Sequence, residues 1–384
     1  MQTGLKIFLA CLLAAIALAG CGKNKPDSKK SFIQIGEFAV RHMADGLVQV
    51  RDGAGRTLVL VPRNAPAPAG YRPCQIVRVP VKRVVAYGFF DISTLRALGV
   101  LKDTLVGVTH PADKWYIPEV RQGMEAGQIA YLGDASSIDF EKLKQVRPEL
   151  VLTWDYSAIA MLEELEIPCA ITSTPVAMCL NARMRFVQFL APFFGREKQA
   201  EAFFNRVARA LEDIRDRTAG SKYHPRVMWG DIYEKRVLVE PGNAWVGELV
   251  GLAQSNYLFK DVYGTSCIEI ALERFLYSGK EADIMFTYRT PATGATSKAA
   301  LVRINPLLAD VRPLKEGKVY APLPHYVQSG DRLDEILTEI AAILHPDVYP
   351  GFKRRFFTEL PDTDPQPAGK AACVPGAKTN GGKS

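Results

Sequence analysis

Three catalytic signatures are missing from this chain of 384 residues: there is no G-x-x-x-x-G-K-[ST] phosphate loop, no H-E-x-x-H zinc pair and no G-x-S-x-G nucleophile elbow. Their absence removes common routes to nucleotide hydrolysis, metalloprotease chemistry and serine-based acyl transfer. Histidine is scarce, with five in the whole chain, too scattered to read as a metal site. His42, His224 and His345 read as surface or capping residues, whereas His110 and His325 both follow strands, at the edge where α/β ligand clefts form. The seven cysteines include no C-x-x-C pair, so a redox dithiol or a zinc knuckle is not indicated. Apart from Cys11 and Cys21 they leave an odd set: Cys74, Cys169, Cys179, Cys267 and Cys373. The formal charge of +7, one less once Lys6 is removed with a leader, is spread without the basic block that nucleic-acid binding needs.

What is present begins with a processing signal. Lys6 supplies a positive n-region, "IFLACLLAAIALAG" an apolar run, and Leu18-Ala19-Gly20-Cys21 a cleavage site at which the cysteine takes a lipid. The apolar run falls short of the ~20 residues that span a bilayer. Residues 1–20 are therefore expected to be a lipoprotein signal peptide, Cys21 the lipidated first residue, and residues 21–31, "CGKNKPDSKKS", a flexible tether. This places the protein outside the cytoplasmic membrane, lipid-anchored in the periplasm or at the cell surface.

A hydrophobic content of 48% supplies a sizeable core. Residues 32–82 read as a β-hairpin extension, "LVQVRDGAGRTLVLVP" giving two alternating runs around a glycine turn and "RNAPAPAGYRP" a Pro-rich loop. From Arg83 strand alternates with helix: "RVVAYG", "FFDISTLRALG", "TLVGVT", "SSIDFEKLKQVRP", "ELVLTW", "AIAMLEELE", "CAITS". Such alternation predicts a parallel sheet covered on both faces, an N-lobe over residues 83–180. A connecting helix follows at 181–220, where Phe203, Val207, Leu211 and Ile214 recur at helical spacing. The alternation restarts in a C-lobe at 221–352, and residues 353–384 lack periodicity and read as a disordered tail. The expected fold class is α/β: two lobes, each with a mainly parallel sheet flanked by helices, joined by a long helical connector. "GDASSIDFEKLKQVRPELVLTW" and "GTSCIEIALERFLYSGKEADIMFTY" echo each other, with Glu141 and Glu273 at matching helix starts and Trp154 and Tyr288 at matching strand ends.

Aromatic placement is the informative feature. Trp115, Trp154, Trp229 and Trp245 all fall at predicted strand ends or helix starts. With Tyr87, Phe89, Phe90, Tyr156, Tyr233, Tyr288 and Tyr326 they are expected to line one crevice between the lobes, suited to a large, flat or greasy solute. Arg289 is the expected partner for a solute carboxylate.

At this point the chain resembles the helical-backbone (class III) solute-binding lipoproteins of ABC importers, in the group that captures iron-siderophores, haem and cobalamin. The resemblance rests on "GRTLVLVP", "RVVAYGFFDISTLRALGV", "DFEKLKQVRPELVLTW", "VEPGNAWVGELVGLAQSNYLFKD", "IALERFLYSGKEADIMF", "LKEGKVYAPLP" and "RLDEILTEIAAILHPDVYPG", in that order behind the lipobox. Two features depart from it: the Pro-rich insert between Asn64 and Pro80, and "YGFF" after the first lobe strand, where small polar residues are usual. The resemblance implies capture of a metal chelate by a monomer whose lobes close modestly. It implies delivery to a permease driven by its ATPase, and docking through Glu141 and Glu273. Neither a resident cofactor nor covalent chemistry is expected. Two other readings share the fold: a protein that binds a bare metal ion, which needs several converging His and carboxylate ligands, and a chelatase-like enzyme, which needs an acid-base or metal-accepting pair across the cleft, such as His110 and His325.

Overall fold

The computed structural model describes residues 32–364 apart from residue 235; the leader, Cys21 and the tether lie outside the described residues. No helix among the described residues is long and apolar enough to cross a membrane.

The N-terminal extension is larger than a hairpin. Strands β1 (Ile33–Ile35), β2 (Phe38–His42), β3 (Val48–Arg51), β4 (Thr57–Pro62) and β5 (Ile76–Val79) form one sheet in sequential order. The last strand comes from the Pro-rich insert and pairs parallel to β4. The turn between β3 and β4 is fastened to the first lobe. Asp52 is fully buried there, accepting from the backbone N–H groups of Ala54 (3.0 Å), Arg56 (2.9 Å) and Ile171 (3.1 Å) and pairing with the Arg56 guanidinium at 2.8 Å. A buried carboxylate is tolerated only when satisfied in this way, and removing a partner from such a pair costs about 3 to 5 kcal/mol. Beside it the Gly53 N–H donates to the Ile171 carbonyl at 2.9 Å. A Cβ on Gly53 would sit 1.8 Å from the Ser173 carbonyl oxygen, so only glycine permits this approach.

The first lobe is an all-parallel sheet in the order β10 (Cys169–Ile171), β9 (Leu150–Thr153), β6 (Val84–Ala86), β7 (Leu105–Val108), β8 (Ala130–Tyr131). Apart from the two-residue edge strand β8, these strands are short, almost wholly buried apolar runs, as a sheet covered on both faces requires. The order reverses at β6, which opens a crevice outside the carboxyl ends of β6 and β9.

The connector is two helices, Leu180–Phe194 and Glu197–Thr218, separated where Gly195 takes φ +63°. The first is buried along most of its length, between the N-terminal sheet and the second lobe. The second buries Phe203, Val207 and Ile214, with Leu211 half-buried, and packs on the closing helix Leu333–Leu344.

In the second lobe β11 (Arg226–Tyr233) lies between β13 (Asn256–Tyr257) and β15 (Ile284–Phe286), and β16 (Lys318–Pro322) follows, all parallel. Antiparallel β12 (Arg236–Val239) and β14 (Ile268–Ile270) extend the far end of β11. One expectation is corrected here. The tail does not lose structure at residue 353: β17 (Phe357–Glu359) pairs antiparallel with β16 and buries Phe356 and Phe357. The buried Glu339 carboxylate accepts from the N–H groups of Arg355 (2.6 Å), Phe356 (2.9 Å) and Phe357 (2.8 Å), which holds this strand in place. Residues 365–384 lie outside the described residues.

Candidate functional site

Beside the crevice outside β6 and β9 lies a cavity of about 1150 Å³, slightly above the usual range for small-molecule sites. It has four walls. The N-terminal sheet supplies Gln34, Glu37, Arg51 and the turn Gly53–Gly55; the first lobe supplies Phe90, Tyr156 and Thr172–Pro175; the connector supplies Met178 and Arg183; the second lobe supplies Glu240, Trp245 and Thr265–Cys267. Local folding explains each placement. Gly88 lets the chain turn from β6 straight into the helix Phe89–Ala97, so Phe90 stands in its first turn at the crevice. Trp245 opens the helix Trp245–Leu252, and its N–H donates to the Met178 carbonyl at 3.0 Å. The Tyr156 hydroxyl reaches the Gly53 carbonyl at 3.3 Å, tying the turn to the first lobe. Below it the Thr172 hydroxyl donates to Asp91 at 3.1 Å, and burial pushes that carboxyl up to about 7.

Of the aromatic set read from the sequence, Phe90, Tyr156 and Trp245 line this cavity. The others lie elsewhere. Tyr87 is fully buried in the first-lobe core, and burial pushes its phenol up. Phe89, His110 and Trp115 form a packed stack: Phe89 lies 4.3 Å from the His110 ring and 5.1 Å from Trp115, whose indole N–H donates to the His110 carbonyl at 3.0 Å. Burial lowers the His110 pKa. Trp154 stands 46% exposed at the end of β9, outside the cavity lining. Trp229 is a core residue at 3% exposure, stacked on Phe286. His325 faces Tyr116 across a second, smaller cavity of about 350 Å³, and Tyr326 packs on Phe357 at 4.8 Å. Tyr288 is half-buried, its phenol pushed up by burial and by the nearby Glu240 and Cys267.

Arg289 is already engaged. Its guanidinium pairs with the fully buried Asp231 at 3.2 Å, donates to the Ile232 carbonyl at 2.9 Å and lies over the Tyr233 ring at 4.2 Å. Its fork is spent inside the second lobe, which removes it and Tyr233 from the cavity wall. The basic side chains that do line the cavity are Arg51 and Arg183, which the sequence reading passed over. A signal was there: Arg183 interrupts the apolar face Leu180, Val187, Leu190 of a helix otherwise made for the core. Glu240 was missed as well. It follows β12 and is half-buried in the cavity lining, and burial raises its carboxyl pKa.

Glu141 and Glu273 lie far from this chemistry in role: each is exposed in the first turn of its helix, Phe140–Gln145 in the first lobe and Leu272–Glu281 in the second. Among the described residues no group of three His, Cys, Asp or Glu side chains is placed to hold a metal ion.

Residues 84–324 match the family model described as "Periplasmic binding protein", which begins after the N-terminal sheet. The chain is similar to an uncharacterized lipoprotein of Methanocaldococcus jannaschii, MJ0878, at 25% identity over 80% of this chain and 76% of that one. It is also similar to the uncharacterized ABC transporter substrate-binding lipoprotein YvrC of Bacillus subtilis, at 22% identity over 89% of this chain and 98% of the relative. Among solved structures, a periplasmic heme binding protein from Pseudomonas aeruginosa superposes with a TM-score of 0.57 at 20% identity, covering 75% of this chain and 100% of that one.

Proposed function

The chain belongs to the periplasmic binding protein family, and on that premise we propose that it captures a metal chelate of the iron-siderophore, haem or cobalamin kind between its lobes. It then hands the chelate to the permease of an ABC importer, from a position held at the membrane by the lipid on Cys21. The observation that carries this reading is the cavity of about 1150 Å³, walled by both lobes and the connector, with Phe90 and Trp245 in its lining from opposite lobes. A pocket of that size, with aromatic side chains beside the charged Glu37, Arg51, Arg183 and Glu240, suits a solute with an apolar body and polar or charged groups. Binding is the whole of the proposed task, with uptake energy supplied by the ATPase of the importer.

Trp245 provides the test. A chelate entering the cavity should quench tryptophan fluorescence, and Trp245→Ala should weaken its affinity by about 1 to 3 kcal/mol, the scale of losing a packed aromatic anchor. A fluorescence titration of wild type and variant with haemin, ferrioxamine and cyanocobalamin measures both. Unchanged affinity for whichever chelate binds would remove the cavity from the mechanism.

A further inference from the structure

Arg183 sits where all three moving parts meet. It belongs to the connector, and its guanidinium carbon lies 4.6 Å from the centre of the Phe90 ring in the first lobe and 4.9 Å from that of Trp245 in the second. Stacking between two ring faces stabilises the cation through their quadrupoles without neutralising it. Among the described residues the side chain makes no ion pair, and its Nε is closed off from solvent with no hydrogen-bond acceptor. Glu240, the acid that acts on it through space, stands beyond ion-pair distance. A charged Nε–H closed off from water without an acceptor is costly. Arg289, by contrast, has an ion-pair partner in Asp231.

We infer that Arg183 is the anion anchor of the cleft, and that the solute is a chelate carrying a carboxylate on an apolar body. The carboxylate is received by the in-plane N–H groups of Arg183 while the body lies against Phe90 and Trp245. Planar, bidentate recognition of a carboxylate is the geometry in which arginine surpasses lysine. Because its two aromatic supports come from opposite lobes, the anchor is assembled only when the lobes are together. This inference rests on the chelate-capture reading and deepens it.

The test uses matched probes that differ in the anionic group alone: haemin against haemin dimethyl ester, and the monocarboxylic acid of cyanocobalamin against cyanocobalamin itself. The full-length chain in detergent is titrated with each by tryptophan quenching. The wild type should bind the acid member of the productive pair at least tenfold more tightly than its neutral counterpart. Arg183→Met should bring the two within twofold of each other, and Arg183→Lys should keep part of the preference. Without solute, Arg183→Met should melt no lower than wild type, because it removes an unneutralised charge from a largely buried place. Chelate binding with no preference for the acid in the wild type, or a preference that survives in Arg183→Met, overturns the anchor alone. If none of these four compounds binds and ferrioxamine also fails, the chelate reading falls and the anchor with it.

Discussion

Trp229→Ala is expected to lower folding stability by about 3 to 5 kcal/mol, the range for emptying a large aromatic site in a core. The ring of Trp229 is stacked on Phe286, its register partner on β15, with centroids 4.3 Å apart and planes 10° apart. Phe357 closes it edge-on at 5.7 Å from β17, and Trp245 meets it at 6.5 Å from the helix above. Removing the indole leaves three aromatic neighbours facing a void that the parallel strands cannot collapse into without losing their ladder. Urea unfolding followed by near-ultraviolet circular dichroism measures the loss, and a change below about 1 kcal/mol would contradict this packing. The contrast with Trp245→Ala is the point of the experiment: one tryptophan supports the lobe, and the other lines the cavity.

The second large effect is expected at the two exposed glutamates. Glu141→Ala combined with Glu273→Ala should reduce uptake of a labelled chelate to background while solute affinity and melting temperature stay near wild type. The glutamates stand in corresponding helix starts on different lobes, and the neighbouring cations are turned elsewhere. Lys142 pairs with Asp139 at 3.5 Å and Arg274 with Asp261 at 2.7 Å. If each acid did no more than favour the positive end of its helix, the loss would be about 0.3 to 1 kcal/mol of stability apiece, with no effect on transport. A carboxylate buried against a permease cation is worth about 2 to 5 kcal/mol on truncation, and two of them fix the orientation of the docked protein. Transport assays in reconstituted vesicles, with binding and melting controls on the same preparations, decide between these. Persistent uptake, or uptake lost together with solute affinity, would assign the acids to the fold or the cleft.

The alternation of strand and helix was legible because buried parallel strands and amphipathic helices leave strong, different periods in the sequence. Short edge elements leave none. Three-residue strands such as β1 and β17 are too brief to alternate, so the N-terminal sheet read as a hairpin and "RRFFTEL" as tail, although Phe356 and Phe357 are buried. The site was legible as a region but not as a set of side chains. Position at a strand end says that a residue is near the crevice; the side to which it points depends on a two-residue alternation and on what the next layer contributes. Trp229 and Trp245 both carried the same sequence signal, and only the second faces the cavity. The arginines show the same limit from the other direction. Arg289 sits beside an aromatic at a strand end, yet Asp231, 58 positions earlier, claims it, and no local pattern reports so distant a partner. The turn Gly53–Gly55 entered the cavity wall through Asp52 and its bond to Ile171, again a contact across more than a hundred residues.

The central claim, that a metal chelate is held in the cavity between the lobes, is tested most directly by native mass spectrometry of the protein purified without denaturation or chelators. The predicted result is a non-covalent one-to-one adduct whose mass and isotope pattern are those of an organic ligand with its metal, diminished in Trp245→Ala. A bare metal ion bound without an organic ligand, or an added tetrapyrrole returned with its metal inserted or removed, would contradict it.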